Sequence, residues 1–514
     1  MGSTNRQCIR VLESDNFPNV SAGNSNKGVC LSSTNTVQTT QPGGMANVPQ
    51  LTDAVLLTVS PVTRRILRMV FVLAAARALG PGKFGVYALL ITLVEFLAMT
   101  SGTGFQDFLT RESAKDESCG WGLGSQLTVL RLAYIVPLCL AGVVLLLLLN
   151  YPRAVLVSGA YLFVTLVPRA VSEAVQGVLR GLRAYQLFFA IDIALGLTLL
   201  AGAGALLLKS GGLAYVIATE LISATVAALV ALAFTVYRRP SFSPWLKWSS
   251  LVRNTAAFNI YPIIGSLYNR VDVVILSKLS GNYATGIYTS AYRVMELFQL
   301  IPYGVLYSLL PNLARYGLKG NERQRLERAM ALLLSSAFAV VLATQVFASP
   351  AVRIFLGAAY SESAAAIKIL IWALIPMCIN YSLNIALLAE GREKVFLATS
   401  SVCFVFNLLA NLIFIPRFSW PGAAAVTIAT EILLFGQNVY WVHRATGVVP
   451  FPRGAWRVAL AFLVLWSVSF VGAGSNLSLW IGAGCLTLFV MYLHRAGTLV
   501  DFRSVWRPGW NATT

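Results

Sequence analysis

Two parts of this 514-residue chain repeat each other at a constant offset of 201 residues. Gly80, Gly85, Tyr87 and Glu95 return without a gap as Gly281, Gly286, Tyr288 and Glu296, and Arg77 returns as Lys278. A second echo, Ile217-Ala218-Thr219-Glu220, comes back as Ile428-Ala429-Thr430-Glu431, 211 residues on. Both copies lie in apolar runs long enough to be membrane helices, and each keeps an acid well inside its run. Duplicated helical bundles with ionisable groups at membrane depth are a common plan for transporters. Transport is therefore the first expectation.

The expected fold class is an all-α polytopic membrane protein. A bilayer core takes about 20 apolar residues per helix. Fourteen runs qualify: 54–79, 84–106, 124–149, 153–177, 185–208, 212–236, 254–278, 284–310, 327–349, 364–388, 395–415, 420–442, 456–473 and 477–494. Arg64, Arg65 and Arg68 interrupt the first, but its repeat partner, 254–278, is plainly apolar. Six spans per copy return the chain to its starting side. The copies then share one topology and are related by a pseudo-twofold along the membrane normal, with a cavity between them. The expected layout is a tail at 1–50, a first lobe at 51–236 and a linker at 237–253. A second lobe follows at 254–443, two more helices at 444–495 and a final tail at 496–514.

Charged residues make up only 11% of the chain, against 57% hydrophobic, where soluble domains carry about 25% charged residues. The net charge of +19 is then a matter of location. No segment is long and polar enough to be a basic nucleic-acid-binding domain. One alternate set of loops holds most of the cations: Arg111 and Lys115, Arg180 and Arg183, Arg238, Arg239, Lys247 and Arg253, and Arg315 through Arg328. The positive-inside rule makes that side cytoplasmic and puts both termini there. The linker, with Trp245 and Trp248, is expected at headgroup level. Residues 1–50 are rich in Ser, Thr, Asn, Gly and Gln; they lack a signal-peptide core and are expected to be disordered. Met45 is an alternative start.

Other chemistries lack their residues. The seven cysteines form no CxxC pair, and His443 and His494 stand apart, so neither a disulfide framework nor a metal site is expected. No GxxxxGK[ST] occurs, which leaves ATP hydrolysis within the chain unsupported.

Four motifs in order then resemble one family. Arg77-Ala78-Leu79-Gly80-Pro81-Gly82-Lys83-Phe84-Gly85-Val86-Tyr87 resembles the first hairpin of the polysaccharide-biosynthesis exporters, the Wzx-type O-antigen flippases. Asp272 through Tyr292 is similar to their seventh and eighth helices, Leu310-Pro311-Asn312-Leu313-Ala314 to a helix end, and Ile415-Pro416-Arg417 with Gly422-Ala423-Ala424-Ala425 to a later hairpin. The resemblance runs from residue 54 to about 495 and places the chain in the multidrug/oligosaccharidyl-lipid/polysaccharide superfamily. It implies two six-helix bundles around a cavity that opens alternately to each side. It also implies a cargo, undecaprenyl-diphosphate-linked oligosaccharide, moved from the inner to the outer leaflet of a bacterial cytoplasmic membrane. Polysaccharide polymerase and glycosyltransferases would be its partners. A lipid II flippase and an ion-coupled multidrug antiporter share the plan and stay open as alternatives. A membrane-bound polymerase or ligase would want a large external loop carrying Arg or His, and none is present.

A diphosphate cargo asks for guanidinium groups, which grip phosphate oxygens in pairs. The candidates are Arg64, Arg65 and Arg68 in the first span, and Arg270 and Arg293 in the seventh and eighth. The alternative for the first three is a helix that starts near Ile66 and leaves them at the interface. For Arg270 and Arg293 it is structural pairing, with Asp272 and Arg293 tying two neighbours together. Glu95 and Glu296, at equivalent depths, are candidates for coupling or gating together with Asp272; otherwise they bond helix to helix, Glu296 with Arg293 three residues away. Energy would come from a proton or sodium gradient, from the lipid gradient or from a partner. Glu220 and Glu431 sit among small residues and read as structural, and Arg169 and Glu173, one turn apart, as partners. Asn380, Asn384, Asn407 and Asn411 either line a polar cavity or bond between helices.

Overall fold

In lipid the backbone has no water to bond to, and helices satisfy it internally. The computed structural model describes residues 51–102, 104–209, 211–238, 248–452, 454–469 and 476–495. Among these it shows α-helices joined by short turns and no β-strand. The expected tails at 1–50 and 496–514 and most of the linker, 239–247, lie outside the described residues. Eight helices or helix pairs among the described residues are long and apolar enough to cross a membrane. Their outward faces are apolar, with Leu148, Leu208 and Val236 more than 70% exposed. The protein is a multi-pass membrane protein.

The first lobe comprises α1 (Leu51–Thr100), α2 (Gly104–Lys115), α3 (Glu117–Leu148), α4 (Arg153–Phe163), α5 (Leu166–Gly181), α6 (Tyr185–Lys209) and α7 (Leu213–Arg238). The second comprises α8 (Trp248–Leu279), α9 (Gly281–Phe298), α10 (Leu300–Tyr316), α11 (Gly320–Phe355), α12 (Ser361–Leu370), α13 (Leu374–Ala389) and α14 (Glu393–Thr446). Two further helices, α15 (Ala455–Ser469) and α16 (Asn476–Arg495), follow; Phe462 packs against Phe338 and Trp372 of the second lobe, and Phe489 packs on Phe462.

The two longest helices are hairpins. Gly80 sits at φ 70°, ψ 168° inside α1, and Ser419 at φ 53°, ψ −136° inside α14. A straight helix would set residues 68 and 87 about 28 Å apart. Yet Arg68 and Tyr87 both reach Oε1 of Glu220, so α1 doubles back at Gly80. In α14, Asn407 donates to Thr430 at 3.2 Å, which requires the same reversal.

Three expected spans are broken in two, each by the same device. Pro168, Pro302 and Pro376 each stand at the third residue of a fresh helix, α5, α10 and α13. A proline there lacks a donor that the first turn leaves unbonded anyway, whereas mid-helix it would strip a bond from the ladder. The span expected at 84–106 also ends early. Helix stops at Thr100, and α2 is a separate short helix that the loop assignment passed over. The seventh span begins at Trp248, so the last six residues of the expected linker are helical.

The duplicated glycines divide into two jobs. Gly80 and Gly281 hold positive φ, at 70° and 81°, a region that L side chains avoid. Gly85 and Gly286 lie where the lobes cross. A Cβ on Gly85 would stand 1.8 Å from the carbonyl oxygen of Asn282, and one on Gly286 2.0 Å from that of Pro81. The same end is tied by Tyr151 to Ser277 at 3.0 Å, Lys278 to the Leu149 carbonyl at 2.6 Å and Tyr360 to the Ala76 carbonyl at 2.8 Å.

Candidate functional site

Between the lobes lies a cavity of about 330 Å³. The hairpin of α1 supplies Arg65 and Arg68 from its first arm and Glu95 from its second; α8 and α9 supply Arg270, Arg293 and Glu296. Six of the eight residues singled out for the site therefore share one chamber, and the duplicated glutamates meet on it. Four arginines against two glutamates leave the lining at +2.

The cations are held in different ways. Arg68 donates to Glu220 at 3.3 Å. Arg293 donates to Oε2 of Glu296 at 2.9 Å, and Arg270 uses Nη2 on Oε1 of the same carboxylate. The guanidinium of Arg270 also lies 4.9 Å from the Tyr292 ring centroid, a cation–π contact. Its other terminal nitrogen, Nη1, is buried with no partner among the described residues. Buried donors are nearly always bonded, so Nη1 is left with an unmet demand for an acceptor. Glu95 makes no hydrogen bond to a described residue and stands half-buried on the wall.

Arg64 and Asp272 fall elsewhere. Arg64 turns from the chamber to Asp192 at 3.2 Å, where Ser60 and Gln176 also donate, at 2.7 and 2.8 Å. Helix nevertheless runs through all three arginines from Leu51, so the late start near Ile66 is not what the structure has. Asp272 accepts from Tyr288 and from the Val273 amide at 2.8 Å; the Asp272–Arg293 pair does not form. Two residues of helix rotate a side chain by about 200°, so Arg270 and Asp272 cannot face one cavity together.

Several side chains that position the site read from sequence as structural only, without their partners. Glu220 takes Tyr87 at 2.6 Å as well as Arg68; Glu431 takes Tyr268 and, at 2.9 Å, Asn380. Asp192, alone in the apolar run Phe188–Leu195, carried the available signal, since a lone acid in such a run needs a partner on another helix. Glu173 takes Arg131 at 2.8 Å besides Arg169 at 3.6 Å. The asparagines serve both open alternatives: Asn407 donates to Thr430 at 3.2 Å and Asn380 to Glu431 at 2.9 Å between helix segments, while Asn384 lines a cavity. A small space of about 10 Å³, the volume of one water, is lined by Asp272, Asn407, Thr427, Thr430 and Glu431 together with Tyr292 and Met377.

A pair of lobes related by duplication, joined at one end and enclosing a charged chamber, defines the class: a flippase-type membrane transporter rather than an enzyme. The fold is shared with solved transporters. Lipid II flippase MurJ, in an inward closed conformation, superposes with a TM-score of 0.67 at 14% identity, over 86% of this chain and 99% of that one. A multidrug resistance MATE family transporter, inward-facing, superposes with a TM-score of 0.62 at 15% identity, over 77% of this chain and 99% of that one. In sequence, the probable low-salt glycan biosynthesis flippase Agl15 of Haloferax volcanii is 24% identical over 432 residues, 79% of this chain and 87% of that protein. Residues 51–317 match the polysaccharide biosynthesis protein family and residues 261–413 the MatE family. The chain belongs to the polysaccharide biosynthesis protein family.

Proposed function

We propose that this protein carries a polyprenyl-diphosphate-linked oligosaccharide from the inner to the outer leaflet of a cytoplasmic membrane by alternating access. The supporting observation is the chamber between the lobes, lined by four arginines against two glutamates. A diphosphate offers several acceptor oxygens to Arg65, Arg68, Arg270 and Arg293 while the polyprenyl tail stays in lipid. A cationic drug would meet a wall of its own sign, which weighs against the antiporter alternative; lipid II, a diphosphate too, fits the chamber equally. Loop charge puts the Gly80 and Gly281 end outside and both termini in the cytoplasm. A pathway of this kind would supply glycosyltransferases before the protein and a polymerase after it.

Coupling to a proton or sodium gradient fits the small space lined by Asp272 and Glu431, two carboxylates that form no ion pair with a Lys or Arg among the described residues. In vesicles holding the purified protein, an undecaprenyl-diphosphate trisaccharide supplied on one side becomes accessible to a lectin on the other. Arg68→Ala and Arg270→Ala slow that appearance. No transfer by the unaltered protein, or full transfer by both variants, would remove the proposal.

A further inference from the structure

A second cavity, of about 510 Å³, lies inside the second lobe and opens beside the first. Its volume is within the range of ligand sites, and its lining differs in kind. Asn269 and Asn384 carry amides and Tyr268 and Tyr381 carry rings among apolar neighbours such as Leu306 and Phe396, while the Asn380 amide is taken up by Glu431 and Asn438. Asp107, Glu393 and Glu431 against Arg392 make its charge −2. We infer that this cavity is the subsite for the sugar residues of the cargo, and that it takes uncharged sugars. The inference rests on the transport reading given above and adds the chemical class of the glycan to it.

Three observations carry it. An amide both donates and accepts, which matches a hydroxyl group, and Asn384 Oδ1 is buried with no partner among the described residues. Asn269 bonds only its own helix, at the Gly265 carbonyl, 2.7 Å away. Charge is the second observation: acids outnumber cations around this cavity even with Asp107 paired to Arg180 at 3.5 Å, and arginines outnumber acids around the chamber even with Arg68 paired to Glu220, so an anionic head and a neutral glycan sort themselves between neighbouring rooms. Contiguity is the third. Gln299 lines the chamber, Met377 lines the second cavity, and the amide of Gln299 donates to the Met377 thioether at 3.4 Å. Thioether sulfur is a weak acceptor, so this thin partition gives way readily to a sugar hydroxyl.

The test is binding to the purified full chain of short-chain polyprenyl diphosphates bearing no sugar, three neutral sugars, or three sugars of which one is a uronic acid. Two to three new hydrogen bonds at about 1 kcal/mol each predict an affinity at least about tenfold higher for the neutral trisaccharide than for the sugarless lipid, and no gain for the acidic one. Asn384→Ala and Tyr381→Ala erase the gain while leaving the sugarless lipid bound as before; Asn384→Ser replaces the alanine variant if that one is poorly produced. A neutral-sugar gain that survives both substitutions, an equal gain for the acidic glycan, or a cationic amphiphile displacing the neutral trisaccharide from this cavity would overturn the inference. Failure of the sugarless lipid to bind, or binding indifferent to Arg68→Ala, would instead count against the transport reading.

Discussion

The two lobes began as one sequence, and they now wire the same acids differently. In the first lobe Glu220 accepts from Tyr87 and from Arg68, so its charge is tied to a cation of the chamber. In the second, Glu431 accepts, among the described residues, from the neutral Tyr268 and Asn380. Tyr288, the repeat of Tyr87, has left the glutamate and bonds Asp272 and Thr427 instead. A buried carboxylate without a counter-charge carries a large desolvation cost that a proton or a metal cation relieves. The first lobe thus ties its acid to an arginine, while the second ties its acid to neutral side chains.

That contrast can be broken by experiment. The largest effect belongs to the double variant Arg68→Ala, Arg270→Ala, which removes one chamber cation from each lobe. At about 1.5–3 kcal/mol for each hydrogen bond to a charged group, binding of a polyprenyl diphosphate falls at least about a hundredfold by calorimetry. A loss confined to one single variant would assign the anion to that lobe alone. Next comes Glu220→Gln against Glu431→Gln. The first frees Arg68 from its carboxylate and raises affinity for the anionic lipid by about tenfold, equivalent to about 1.4 kcal/mol, while slowing its release. The second leaves that affinity unchanged and abolishes any response of transport rate to an imposed sodium or proton gradient. Identical behaviour of the two would erase the distinction between the lobes. The smallest effect is on stability: Tyr87→Phe and Tyr288→Phe each lose a bond to a carboxylate, worth about 1.5–3 kcal/mol, read as lower thermal midpoints. Only Tyr87→Phe should also alter lipid affinity, through Glu220 and Arg68.

Much of this architecture was legible from residue order. Apolar length marked the helices, and the recurrence of Gly80 to Glu95 as Gly281 to Glu296 announced two lobes with acids at matching depth. The breaks before Pro168, Pro302 and Pro376 were not, because an apolar run looks the same whether one helix or two cross it. The α2 helix was hidden for the opposite reason: its polar composition reads as loop. In the site, Arg64 and Arg68 stand four apart, a spacing that puts two side chains on one helix face. The chamber takes Arg65 and Arg68 instead, since the rotation of α1 is fixed by Asp192, 128 residues away along the chain. Asp272 was separable from Arg270 by helical geometry alone. The pairing of Glu220 with Arg68 was not, because it depends on how three helix segments lean together.

The crossing at Gly85 and Gly286 has a consequence for how such a chain can vary. Each hairpin meets the other's main chain with no room for a methyl group, so neither half can acquire a side chain there without prising open its sibling. Duplication usually frees one copy to drift; at this contact it binds both to a mutual veto. A chimaera that joins either half to a distant relative's other half must therefore inherit a bare backbone on both sides of the seam, or its halves will not close.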